Sequence, residues 1–188
     1  MKQNIIEAIK IHKELLVKFE KTGLEVVAKA SEMIIACFKG GGKIYLCGNG
    51  GSAADCQHIS GELVGKFRRQ RKGLPAIALS TDTSILTSVG NDCGFEDIFT
   101  RQVEAHVTAK DILWALSTSG SSPNILAAVQ LAQSKGAKIL AFTGRTDTPL
   151  ERMSDLCLSI DAPTSAAAQE IHQLAYHIIC DIVEEQMC

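Results

Sequence analysis

Lys43-Ile44-Tyr45-Leu46-Cys47-Gly48-Asn49-Gly50-Gly51-Ser52 reads as a short apolar strand that runs into a glycine-rich turn and then opens a helix. A near-continuous apolar run of this length suits a strand covered on both faces, as in a parallel sheet. Four further runs have the same character: Pro75-Ala76-Ile77-Ala78-Leu79, Ile112-Leu113-Trp114-Ala115-Leu116, Lys138-Ile139-Leu140-Ala141-Phe142 and Leu156-Cys157-Leu158-Ser159-Ile160. Helical spacing fills the intervals, at 52–67, at 82–104 with a break near Gly90, at 123–135 and at 165–186. That alternation predicts a doubly wound α/β fold with a five-stranded parallel sheet, flavodoxin-like in type.

Two helices precede the first strand. Ile5, Ile6, Ile9, Leu15, Leu16 and Phe19 recur at helical spacing, as do Val26, Val27, Ala30, Met33, Ile34 and Cys37. Gly23 separates them, and Gly40-Gly41-Gly42 closes the second. The expectation is one domain over 1–188, with a helical pair at 1–40 and an α/β core at 43–188. A chain of 188 residues, 46% hydrophobic, can bury one substantial core.

Charge is intermixed, with 19 basic and 21 acidic residues and a formal net charge of −2, so no electrostatic footprint for nucleic acid or an anionic membrane exists. The densest basic stretch, Lys66-Phe67-Arg68-Arg69-Gln70-Arg71-Lys72, reads as a solvated helix end or loop rather than a phosphate contact. The residues Met1–Glu7 lack the apolar core of a signal peptide, and no run of about 18 apolar residues spans a bilayer. Seven scattered cysteines without a Cys-x-x-Cys pair suggest reduced thiols. A cytoplasmic location is the expectation.

Chemistry concentrates in two loops. Gly48-Asn49-Gly50-Gly51-Ser52 follows the first strand, and Ser117-Thr118-Ser119-Gly120-Ser121-Ser122 follows the third, with Pro123 suited to a first helical position. Each lies at the carboxyl end of a strand and the positive end of a helix dipole, where N–H groups and hydroxyls cradle an anion. Ser117, Thr118, Ser119 and Ser122 favour a phosphate held by neutral donors, although serine and threonine also cap helices. Gly48-x-Gly50-x-x-Ala53 formally fits a dinucleotide turn, but the next strand ends in Ser80-Thr81-Asp82, further on than a ribose-binding acid usually lies.

Acid–base groups cluster on two of the helices. His58 and Glu62, four residues apart, share a helix face. The last helix carries Gln169, Glu170, His172 and His177. A carboxylate and imidazoles beside a sugar phosphate suit proton transfer next to a carbonyl, as aldose–ketose interconversion requires. The spacing of His58 and Glu62 also fits a plain surface ion pair. His58, Glu62, Gln169 and His177 would equally suit zinc, except that Gln169 and His177 stand roughly 12 Å apart along a straight helix. Convergence would need an irregular helix start or another subunit.

Taken together, Cys47–Ser52, His58-Ile59-Ser60-Gly61-Glu62-Leu63, Gly90-Asn91-Asp92, Leu116-Ser117-Thr118-Ser119-Gly120 and Gln169-Glu170-Ile171-His172 resemble the phosphoheptose isomerases of the sugar isomerase (SIS) domain family over nearly the whole chain. The resemblance implies conversion of sedoheptulose 7-phosphate to D-glycero-D-manno-heptose 7-phosphate, a step towards the heptose of bacterial lipopolysaccharide. It implies Glu62 as general base and His177 as general acid, and zinc on His58, Glu62, Gln169 and His177. Substrate contacts are implied for Asn49, Gly50, Gly51, Ser52, Glu62, Asn91, Asp92, Ser117, Thr118, Ser119, Ser122 and Gln169. A homotetramer with active sites at subunit contacts is implied as well. His172 matches the motif and is expected to pack or cap. Ala166-Ala167-Ala168 departs from relatives that carry a polar or basic residue before the glutamine, which bears on recognition of sugar hydroxyls.

The alternative that keeps the fold is a non-catalytic SIS tetramer binding the bacterial replication initiator; the relatives of that kind lack the acid corresponding to Glu62. A sugar-phosphate sensor and a nicotinamide-dependent oxidoreductase are more distant alternatives.

Overall fold

Strand β1 (Ile44–Gly48) is buried along its whole length, because its side chains point alternately into two separate apolar layers. The computed structural model describes residues 1–188. β2 (Ala76–Ala78), β3 (Ile112–Ser117), β4 (Lys138–Thr143) and β5 (Leu156–Ser159) join β1 in one parallel sheet of order β2-β1-β3-β4-β5. Tyr45 pairs with Leu113 and Leu113 with Ile139, which sets the register of the three central strands. The order reverses between β1 and β3, the switch point at which open α/β sheets bind ligands.

On one face, Ile44, Leu46, Ile112, Trp114, Leu140 and Phe142 pack beneath α1 (Lys2–Thr22), α2 (Leu24–Lys39), α3 (Gly51–Val64) and α8 (Ser165–Met187). On the other, Tyr45, Cys47, Leu113, Ala115, Ile139 and Ala141 meet α5 (Thr100–His106), α6 (Pro123–Ser134) and α7 (Pro149–Met153). The five expected strands all form. The leading helices share their core with the sheet, since Leu15, Phe19, Val27, Ala30 and Ile34 belong to the first layer.

Two details differ from expectation. The break expected near Gly90 lies later, at Cys93–Gly94. α4 (Thr83–Asp92) runs through Gly90, and Gly94, at φ +111, turns the chain into a 3₁₀ turn at Phe95–Asp97. The short α7 was not expected. It is held by the side chain of Thr148, which accepts the N–H of Glu151, and by Pro149 at the helix start, a cap too local to show in hydrophobic periodicity. No helix is long and apolar enough to cross a membrane.

Candidate active site

The two loops meet at the switch point. Asn49, after β1, and Asn124, in the first turn of α6, exchange reciprocal amide hydrogen bonds, Nδ2 to Oδ1, of 2.9 Å each. Gly50 takes φ +53, and a Cβ at Gly51 would run into the Gln169 amide, so the α8 side chain lies directly over the start of α3. Ser52 is buried beneath this turn, with its N–H donating to the Asn49 carbonyl at 3.0 Å.

After β3 the hydroxyls converge. Ser117 Oγ lies 3.1 Å from Ser122 Oγ and 3.4 Å from Ser119 Oγ, and it accepts the Gly120 N–H at 3.2 Å. Thr118 Oγ1 donates to Ser165 Oγ at 3.0 Å, which ties the loop to the N-terminus of α8. Thr118, Ser119, Gly144, Arg145, Thr164 and Ser165 line a polar pocket of about 90 Å³. Neutral donors, a guanidinium and the positive end of a long helix make this edge receptive to an anion.

α3 and α8 lie side by side and run in the same direction: Gln169 meets Gly51, Tyr176 meets Asp55 and His58, and Glu184 meets the segment after α3. On this seam His58 Nε2 lies 3.1 Å from Glu62 Oε1 and 3.4 Å from His177 Nε2. Ligand atoms of His58, Glu62 and His177 all fall within 4.8 Å of one another. Two imidazole nitrogens and a carboxylate oxygen facing each other are a donor set that suits a divalent cation. Burial, and then the neighbouring His58, lower the pKa of His177, partly offset by Glu62, which favours a neutral imidazole.

Gln169 stands apart from this trio. α8 is helical from Ser165, so the glutamine is not in an irregular helix start, and Gly51 lies roughly 10 Å along α3 from His58. Asn91 and Asp92 bond to each other at the exposed C-terminal end of α4, Asn91 Nδ2 donating to Asp92 Oδ1 at 2.7 Å. His172, expected to pack or cap, is fully buried and bonds through Nε2 to the Thr143 carbonyl at 3.1 Å; burial lowers its pKa to about 4.

The basic stretch after α3 is a solvated loop only in part: Lys66, Arg68, Gln70 and Lys72 are exposed, but Arg71 is not. Arg71 turns inward, its Nη atoms donating to the carbonyls of Glu62 (2.9 Å) and Leu63 (2.8 Å), and its Nε stands 3.2 Å from Glu184. The enclosed Glu184 carboxylate accepts the N–H groups of Phe67, Arg68 and Arg69 at 2.9, 2.7 and 2.8 Å. Burial raises its pKa, but these three donors and Arg71 outweigh that and leave it lowered. Arg68 and Arg69 each pair with Asp181 at 2.9 Å. The charges satisfy the end of α3 and one another, and so hold Phe67 stacked on His177, with ring centroids 5.5 Å apart.

Sequence reasoning did not single out Asn124, Asp55, Tyr176, Phe67 or Glu184. A signal existed for Asp55, which lies one turn before His58 on the same helix face. Asn124, Tyr176 and Glu184 gain their meaning only from partners more than 70 positions away.

The family model described as the SIS domain matches residues 9–144. A phosphoheptose isomerase from Aliarcobacter butzleri is 42% identical over 187 residues, 100% of this chain and 99% of that protein. Among solved structures, a phosphoheptose isomerase from Francisella tularensis superimposes with a TM-score of 0.94 at 35% identity, covering 97% of each chain. One from Neisseria gonorrhoeae does so with a TM-score of 0.88 at 38% identity, covering 98% of this chain and 96% of that one.

Proposed function

This chain belongs to the SIS domain family and is a sugar phosphate isomerase, and we propose that it converts sedoheptulose 7-phosphate to D-glycero-D-manno-heptose 7-phosphate through an enediol. The observation that carries this reading is the convergence of His58, Glu62 and His177 in a chain that also bears two anion-receptive loops. Glu62 takes the proton from C1 of the ketose while His177 gives one to the C2 oxygen, which produces the enediol. The O1 hydroxyl then returns a proton to His177, and the proton on Glu62 passes to C2, leaving an aldehyde at C1.

The serine loop, with Ser117, Thr118, Ser119 and Ser122, takes the phosphate; Asn49, Gly50, Gly51, Ser52 and Gln169 take the adjoining part of the sugar. We read the protein as a homotetramer in which neighbouring protomers complete each site. That arrangement would bring Gln169 to the trio, and Asn91 and Asp92 to the substrate. The exposed Ile5, Ile6 and Ile9 on α1 support such an association. The leading helices and the α/β core form one domain in this reading, since they share a core layer.

His58, Glu62 and His177, with Gln169, would hold zinc, which when bound polarises the sugar carbonyl as a Lewis acid. Seven unpaired cysteines support a reducing, cytoplasmic setting. The test is to incubate the purified protein with sedoheptulose 7-phosphate, with and without chelator, and follow the aldose product. No aldose from zinc-loaded protein would refute the substrate assignment.

A further inference from the structure

Behind His58, on the side away from Glu62, a second polar chain runs into the protein. Tyr176 Oη lies 2.9 Å from His58 Nδ1 and 3.4 Å from Asp55 Oδ1. The tyrosine is fully buried. Asp55 is three residues before His58 on α3, and its other oxygen is buried without a partner. Tyr176 is therefore the one donor within reach of this carboxyl group.

A phenol has a single hydrogen, and a carboxylate can only accept. The half-buried Asp55 carboxylate has the stronger claim on that hydrogen, because it has no other partner, its Oδ2 is enclosed, and an unpaired charge out of water is costly. With its hydrogen turned to Asp55, Tyr176 Oη offers a lone pair to His58 and must accept the Nδ1–H. In the neutral imidazole the proton then resides on Nδ1, and Nε2 keeps its lone pair for a cation seated between it, Glu62 and His177; without a cation that lone pair faces the Glu62 carboxylate at 3.1 Å.

We propose that Asp55 and Tyr176 are positioning residues that hold His58 in the Nδ1–H tautomer and so ready its Nε2 to bind a divalent cation. The proposal rests on the reading of His58, Glu62 and His177 as a cation site. Partners of this kind on the remote nitrogen of a ligating histidine commonly set its orientation and basicity. Burial, followed by the nearby Asp55 carboxyl, holds the Tyr176 phenol well above its ordinary range, so it keeps its hydrogen at any working pH. Burial leaves the Asp55 carboxyl raised above its ordinary range, the Tyr176 hydrogen bond and His58 offsetting only part of it.

The experiment titrates Zn²⁺ into the metal-free wild-type protein and the variants Y176F and D55A against a chelating indicator, with the Co²⁺ visible spectrum as a second probe of the ligand set. Y176F keeps the ring and its packing but leaves the Nδ1–H without an acceptor. D55A frees the phenol hydrogen to turn to Nδ1, the wrong tautomer for binding. Both should bind Zn²⁺ about 10–100-fold more weakly than wild type. The melting temperature of metal-free D55A should stay near the wild-type value, that of Y176F should fall because its Asp55 carboxylate loses its one donor, and in both the rise on adding Zn²⁺ should shrink. Should Y176F fold poorly, D55A decides alone, since it removes a half-buried, under-partnered group and leaves the tyrosine in place. Binding within twofold of wild type in either folded variant overturns the relay and leaves the cation site standing. A wild-type protein that takes up no Zn²⁺ overturns both, so the two failures are told apart by the wild-type titration.

Discussion

Replacing Glu184 with glutamine isolates the device that fastens the segment after α3. The substitution preserves shape but takes away the charge on which three backbone N–H groups and the Arg71 guanidinium converge. Glutamine can turn one oxygen to these donors; its NH₂ must then face another donor. Glu184 is fully enclosed and the Arg71 side chain is 2% exposed, so water cannot substitute for the lost contacts. Breaking one partner of such a buried pair costs about 3–5 kcal/mol. For a chain of this length that corresponds to a fall in melting temperature of roughly 6–20 °C, read by thermal scans at one fixed protein concentration. The pH dependence supplies an internal control. The folded pKa of Glu184 is lowered, so its contribution is present above the ordinary carboxyl value of 4.5 and is lost as pH falls through the lower folded value. The gap between wild type and E184Q should therefore narrow as the solution is acidified below 4.5. Turnover should fall as well, because the same three N–H groups hold Phe67 against His177. A variant within about 1 kcal/mol of wild type at neutral pH, with normal turnover, would show that Glu184 does not organise this segment.

Glu62→Gln should leave folding and substrate binding intact and lower turnover by about two to four powers of ten; unchanged turnover removes Glu62 from proton transfer. Ser119→Ala should chiefly raise the substrate concentration needed for half-maximal rate, and a loss confined to turnover would point away from phosphate binding. His172 has a folded pKa lowered to about 4 from 6.5, so the stability of its neutral form is present above 6.5 and is lost as pH falls towards 4. The lowering amounts to roughly 3 kcal/mol; melting curves of His172→Asn should be correspondingly flatter over that window, and parallel curves would contradict the assignment.

The sheet was legible because the three central strands are buried on both faces and so appear as unbroken apolar runs, and the edge strands β2 and β5, though Ile77 is exposed, are nearly as apolar. The glycine and serine loops were legible because each follows its strand directly. His58 and Glu62 could be paired from a spacing of four on one helix. Arg71 was misread because a guanidinium that turns inward and one that faces water give the same letter, and the carbonyls that make the difference lie at the end of α3. The Gly90 break was misplaced because a helix interior tolerates a glycine at modest cost, whereas Gly94 takes a positive φ that stops it.

By itself the sequence determines the five strands and the longer helices, and that two anion-receptive turns stand at strand ends, since these follow from periodicity and local backbone preference. The tertiary structure alone decides that Tyr176 reaches Asp55 and His58, that His177 faces His58 across 119 positions, and that Gln169 covers Gly51 instead of joining the trio. The physical reason is that partners across two helices depend on the relative rotation and register of those helices. Apolar packing over the whole core sets both, and no local spacing encodes them.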